Sequence, residues 1–225
     1  MAQKVKLSTI ADSLGLSTAT VSLALRDSPL VAEVTRERIK CAARELGYIY
    51  NRRAASLRTS RSGIVGVCVH DIMNPFFGEI LKSVENELDR QRQTFILCNH
   101  HDDLAKQRSF VDTLLRADGL ILSPAIGTPA SDIRLPEEND LPVTLIARTV
   151  EGSGVLGFRG DDSYGMGLAV DHLVALGHRR IAMIGGTALT STGRDREAGY
   201  LAALERAGIE FRPEWRIEGP RNRHS

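Results

Sequence analysis

Residues 7–27 read Leu-Ser-Thr-Ile-Ala-Asp-Ser-Leu-Gly-Leu-Ser-Thr-Ala-Thr-Val-Ser-Leu-Ala-Leu-Arg-Asp, and few backbones accept that pattern. Ile10, Ala11 and Leu14 recur at helical spacing and face inward. Gly15 then stops the helix, because glycine takes the left-handed conformation cheaply. Val21, Ala24 and Leu25 give a second helix its apolar face. Ser8 and Ser17 are the expected N-caps, each hydroxyl accepting from an orphan backbone N–H. The pattern predicts a helix–turn–helix, the unit that sets one helix into the DNA major groove. The outward face of the second helix would hold Thr18, Ala19, Ser22, Leu23 and Arg26, a short and mostly uncharged surface suited to base edges.

Charge is distributed in the same sense. Residues 1–61 carry eleven Lys/Arg against five Asp/Glu, and the rest carry eighteen against twenty-three, so a basic head precedes an acidic body in a chain of net charge +1. Such a split points to a polyanion-binding module on a carrier. A third helix follows from Thr35, with Ile39, Ala42, Ala43 and Leu46 on one face and Gly47 at its end. Asn51 can cap a short helix over residues 52–58, which carries Arg52, Arg53 and Arg58 around Ala54, Ala55 and Leu57. Seven residues are too few to be helical alone in water, so this segment is a linker or folds on DNA.

From Ser62 the periodicity changes. Strands are expected at 64–69, 94–98, 119–122, 143–146, near Val155 and at 181–184. Helices are expected at 75–92, 103–116, 163–176 and 194–207. Strands alternating with helices at this spacing imply right-handed crossovers and a doubly wound parallel sheet. Open sheets of this kind bind ligands at the carboxyl ends of their strands. Asn74, Phe76 and Phe77 follow one such end, and Arg148 follows another. Phe77 could stack on a sugar face, whereas Asn74 is better placed to cap the helix starting at Pro75. Arg148 could equally form a surface salt bridge. Asp161 and Asp162 precede a helix and are expected to cap it.

Several motifs together carry a family resemblance. They are Thr20-Val-Ser, Val31 followed by Thr35-Arg36, Leu46-Gly-Tyr, Asn51, Ser56-Leu-Arg-Thr, Asn74-Pro-Phe-Phe, Asp118-Gly-Leu-Ile-Leu, His172-Leu-Val-Ala-Leu-Gly-His-Arg-Arg-Ile-Ala and Arg196-Glu-Ala-Gly-Tyr. In this order the chain resembles the LacI (lactose-repressor) family of bacterial transcription regulators over residues 5–210. The resemblance implies a helix-turn-helix headpiece at 1–50, a hinge helix at 51–61 and an effector-sensing domain of the periplasmic-binding-protein type at 62–225, an α+α/β architecture. It implies a regulator, expected to be a repressor, that binds a near-palindromic double-stranded DNA operator as a homodimer. A small-molecule effector, a sugar or derivative, would modulate that affinity. Thr18, Ala19, Ser22 and Leu23 would read the major groove, with Arg26 beside them. Ser17, Thr35 and Asn51 would contact phosphates, which set register without reading sequence. The hinge helix with Arg52 and Ala54 would enter the minor groove, where Leu57 would wedge a base step open. Arg196 matches an arginine that relatives use to hold an effector, and the alternative for it too is a surface salt bridge.

Three departures stand out. Leu23 replaces a frequent arginine, exchanging a bidentate guanine reader for an apolar contact. Ala32 replaces a capping serine, and Tyr50 replaces a proline before the hinge. The family pattern also calls for further strands and helices after residue 210, which the tail Pro220–Ser225 does not match, so the second lobe is expected to be incomplete.

Other features are discounted. Gly152-Ser-Gly-Val-Leu-Gly has a dinucleotide-binding spacing but does not join a strand to a helix. Cys41, Cys68 and Cys98 lack metal spacing and are expected to be reduced, buried thiols. His100-His101 is expected to be a solvated loop. No cofactor, metal or membrane span is expected, and the location is cytoplasmic. An enzyme is not expected, since no nucleophile–base set is visible. The alternatives are a remnant that only binds DNA and a sugar-binding protein without regulation.

Overall fold

The computed structural model describes residues 5–48, 61–114 and 116–219. The expected hinge, with Tyr50, Asn51, Arg52, Ala54 and Leu57, lies outside them. The chain divides into two compact units, Met1–Ser60 and Arg61–Ser225.

In the first unit, helices α1 (Leu7–Leu14), α2 (Thr18–Leu25) and α3 (Glu33–Glu45) enclose Ile10, Ala11, Val21, Ala24, Val31, Ile39 and Ala43. Gly15 caps α1 at φ 66°. The Ser17 hydroxyl accepts from Thr20 N–H at 3.1 Å at the start of α2. Ser8 does not cap α1. The cap position falls on Lys6, because Leu7 already packs on the core and draws the helix start forward. The Lys6 N–H is taken instead by the Thr9 hydroxyl at 3.4 Å. Likewise α3 starts before Thr35, at an Ala32 that offers no side-chain cap. The turn before it is held from α3. Arg36 donates to the carbonyls of Asp27 and Ser28 at 3.4 and 3.2 Å, and Lys40 pairs with Asp27 at 2.7 Å.

The second unit is built on β1 (Ile64–Val69), β2 (Thr94–Asn99), β3 (Gly119–Leu122), β4 (Val143–Ile146) and β5 (Gly157–Phe158). All pair in parallel in the order β2-β1-β3-β4-β5. Parallel strands need long crossovers, supplied by α4 (Pro75–Arg90), α5 (Leu104–Thr113) and α6 (Ala130–Glu138). Phe77, Ile80, Leu81 and Val84 of α4 pack on Val67 and Val69 on one sheet face. Phe110 and Val111 of α5 and Ile133 of α6 cover Cys68, Leu120 and Leu145 on the other. Gly66 is needed for this fit, since a Cβ there would lie 2.1 Å from Leu114. The chain then forms α7 (Asp162–Ala175), β6 (Met183–Gly185), α8 (Ser191–Arg206), a 3-10 turn at Pro213–Trp215 and β7 (Arg216–Glu218), which pairs in parallel with β6. α7 and α8 approach closely at Gly199, whose Cβ would meet the Ser163 carbonyl oxygen at 2.1 Å.

The expected alternation is present, with shifts. The strand anticipated near Val155 forms at Gly157–Phe158, and α8 starts at Ser191 rather than 194. The α6 helix was not anticipated, and it holds Pro136 in its interior. At the amino ends of the strands Asp118 ties three segments together. Its carboxylate accepts from Ser62 N–H (2.6 Å), Ser62 Oγ (2.9 Å) and Gly63 N–H (2.9 Å), with Gln93 Nε2 at 3.4 Å. Burial would raise this carboxyl, but these donors hold it below the usual range. Asp118→Ala leaves the donors without their acceptor and should cost the second unit about 2 kcal/mol. Urea unfolding followed by the fluorescence of Trp215, the single tryptophan, measures this.

Candidate DNA-reading surface and ligand cavity

On α2, Thr18 and Ala19 are exposed while Ser22 is half-buried. Ser17 is exposed, its hydroxyl held by the Thr20 N–H and lying 2.9 Å from the Thr20 hydroxyl. Arg26 is exposed, and its Nε donates to the Ser22 carbonyl at 3.2 Å, which lays the side chain along the helix. Thr35 is half-buried in the first turn of α3. Leu23 departs from expectation. It is half-buried and packs against the headpiece core, because its Cβ lies between the inward and outward stripes of a helix with only two fully buried residues. A leucine there gains more from the core than from water.

In the second unit the sheet reverses its winding between β1 and β3, and sheets of this kind bind ligands beyond the carboxyl ends of their strands. A cavity of about 290 Å³ lies at this end, lined by Pro124, Thr128, Arg148, Thr149, Ser191 and Arg194, among others. It joins both halves of the unit: Thr149 N–H donates to Ser191 Oγ at 3.0 Å. Arg148 enters it from the end of β4, on a three-residue turn in which Ala147 has φ 62° and Arg148 N–H bonds Ile146 C=O at 2.6 Å. Its guanidinium is bidentate on Asp102, one bond at 3.2 Å and a shorter one, and also donates to Pro124 C=O at 3.0 Å. Asp102 accepts from Ile126 N–H at 3.2 Å as well. Burial pushes the Asp102 carboxyl up, but Arg148 outweighs it and holds the group below its usual range.

Behind the pair lie two neutral imidazoles. His100 is fully buried, with Nε2 2.9 Å from the Ser123 carbonyl. His70 Nδ1 is 3.3 Å from Ser123 Oγ, and its ring meets Phe77 edge to face at 4.8 Å. Burial, then the Arg148 charge, pushes His70 down to about 4, and burial lowers His100.

Of the residues expected at a ligand, the structure brings only Arg148 to the cavity. Phe77 is 1 % exposed and belongs to the α4 core, since the first turn of α4 points it at the sheet. Asn74 caps α4, accepting from Phe76 N–H at 3.1 Å. Phe76 is exposed and lines a separate apolar groove on α4. Arg196 pairs with Asp162 at 2.7 Å outside the cavity lining, while Asp161 caps α7 through Tyr164 N–H at 2.9 Å. His100 is no solvated loop, because its ring fills the space under Ser123. Cys68 and Cys98 are buried as expected, but Cys41 is exposed, on the solvent side of α3. Sequence reasoning missed His70, Asp102, Ser123 and Arg194. The polar run His100-His101-Asp102-Asp103 straight after a strand was the available signal.

The family model described as bacterial regulatory proteins, lacI family, matches residues 6–51. That described as periplasmic binding proteins and sugar binding domain of LacI family matches residues 62–223. The chain belongs to the LacI family. It is 32% identical over 219 residues to the maltose regulon regulatory protein MalI of Escherichia coli (strain K12), covering 96% of this chain and 64% of MalI. It is 32% identical over 213 residues to the HTH-type transcriptional repressor PurR of Pectobacterium carotovorum subsp. carotovorum (strain PC1), covering 93% and 62%. The chain thus spans less than two thirds of these curated relatives. The crystal structure of the lac repressor dimer bound to operator and the anti-inducer ONPF superposes with a TM-score of 0.79 at 26% identity, over 98% of this chain and 67% of the other. Among the described residues no helix is long and apolar enough to cross a membrane.

Acid should destabilise this LacI-family body through His70. Between pH 6.5 and 4 the unfolded imidazole takes a proton that the folded one refuses, so stability falls as pH falls. Urea unfolding at pH 7 and 4 should show a loss on the order of 3 kcal/mol that His70→Gln lacks.

Proposed function

We propose that the chain is a sequence-specific DNA-binding transcription regulator, a repressor that acts in the cytoplasm as a homodimer on a near-palindromic operator. The observation that carries this is α2, a Ser17-capped helix presenting Thr18 and Ala19 to the exterior of a unit matched by the lacI-family model. Residues 1–50 form the DNA-binding headpiece, 51–61 the hinge and 62–225 the effector-sensing domain. Thr18, Ala19, Ser22 and the exposed edge of Leu23 read bases, while Ser17, Arg26, Thr35 and Asn51 bind the backbone. Arg52 and Ala54 enter the minor groove and Leu57 wedges it. The cavity at the strand ends takes a small-molecule effector, and Arg148 sits at its polar wall. MalI, PurR and the lac repressor, all named as regulators or repressors, support this reading.

The test is binding of the 225-residue chain to a pool of random duplexes across a salt series, with the bound fraction sequenced. A palindrome should be enriched, and affinity should fall steeply with salt as phosphate counterions are released. Salt-sensitive binding without enrichment would overturn the sequence-specific dimer. Leu23→Arg should shift the enriched half-site toward guanine, since arginine pairs with its O6 and N7. An unchanged half-site would remove Leu23 from the reading surface.

A further inference from the structure

We propose that Asp102 is a specificity-determining residue of the cavity: by cancelling the charge of Arg148 it commits the site to an uncharged, hydroxylated ligand and bars an anionic one. This rests on the reading of the cavity as the effector site.

The pair is held in place by strain in the backbone. Six non-glycine residues among those described have φ between 53° and 62°. Three of them, His101, Asp102 and Ala147, deliver the two partners of this one ion pair. Left-handed backbone is unfavourable for residues with a Cβ and gathers at ligand clamps. Asp102 also accepts from Ile126 N–H. That loop is fixed in turn by buried Gln107, which accepts from Ala125 N–H at 2.7 Å and donates to Thr128 Oγ1 at 3.1 Å. Arg148 therefore cannot leave Asp102 without dismantling the wall, and its side chain is only 11% exposed.

The remaining charges on the lining offset each other. Arg194 is opposed in sign by Glu151, and one Arg194 nitrogen already donates to the Ala188 carbonyl at 3.1 Å. The hydroxyls of Thr128 and Thr190 are donated to the Ala125 and Thr187 carbonyls, so the hydroxyl chemistry that the cavity offers comes from Thr149 and Ser191. A polyhydroxylated ligand can exchange donor and acceptor roles with these groups. A phosphate or carboxylate would bring charge to a partly desolvated wall whose innermost cation is already paired, and would meet the Asp102 carboxylate behind it.

The experiment titrates the full chain with inorganic phosphate and follows the Arg148 Nε–H resonance. The wild-type resonance should show no saturable shift at millimolar phosphate, whereas Asp102→Asn should bind phosphate about ten-fold more tightly. Adding Arg148→Met to that variant should abolish the gain. Should Asp102→Asn not fold, Asp102→Ser is read in the same way, and the wild-type titration decides on its own. A saturable wild-type shift, or a folded variant without gain, overturns the proposal. A melting scan with neutral pentoses and hexoses beside their phosphate esters separates the two readings. If no neutral sugar stabilises the chain, the effector reading fails, while the phosphate titration still judges Asp102. If an ester stabilises the wild type more than its parent sugar, the proposal fails.

Discussion

Parallel pairing obliges each strand to pass its chain to a crossover, a helix after each of the first three strands here, that carries it back to the starting edge of the sheet. In this chain α4 returns along one face and α5 and α6 along the other. Every segment that follows a strand therefore collects at one end, and every segment that precedes one collects at the opposite end. The first end receives His70, His100, Ser123 and Arg148, from the exits of four different strands. The second receives Ser62, Gln93 and Asp118, joined by one carboxylate. The strand-exit wall of the cavity and the anchored start of the body are thus two consequences of one topological rule.

The headpiece solves a different problem with few atoms. Three short helices bury seven small or medium apolar side chains, which leaves little hydrophobic energy to spare. Its order comes from hydroxyl caps and from a pair of long cations. Ser17 satisfies the N-terminus of α2 without placing a charge there, so α2 starts as a neutral surface. Arg36 and Lys40 are used internally, on the Asp27–Ser28 turn. Positive charge counted in a sequence is therefore not the same as positive charge offered to DNA. Among the described residues of α2 and its caps, Arg26 is the cation that remains at the surface.

Much of this architecture is legible because it follows from periodicity. Alternating apolar runs and glycine stops mark α1, α2 and the first four strands within a residue or two. The failures have physical causes. The α6 helix escapes notice because Pro129 and Pro136 argue against a helix, yet Pro129 stands at the N-cap, where a missing N–H costs nothing. Pro136 lies in the last turn, and burial of Ile133 fixes the segment regardless. Phe77 is misassigned, and the partial burial of Leu23 goes unseen, because an aromatic or aliphatic side chain near a site has the same signature as one in a core. Two consecutive aromatics on a helix start must diverge by about 100°, so one faces the sheet and the other faces solvent. Nothing local says which.

Asp102 shows the deeper limit. No spacing rule announces that an aspartate two residues after a buried histidine will bend through left-handed backbone to meet an arginine 46 positions away. The pair exists because four chain exits are crowded together and a cation there has to be neutralised before the lobe can be packed. A buried guanidinium without a partner costs several kcal/mol. A ligand could supply the counter-charge, but then the empty protein would carry that cost, and release of the ligand would be linked to unfolding of the wall. An internal carboxylate removes the linkage. The wall holds its shape whether or not the cavity is filled, and the surrounding histidines remain neutral beside an already compensated charge. Stability of the empty state and selectivity for uncharged ligands thus follow from the same ion pair.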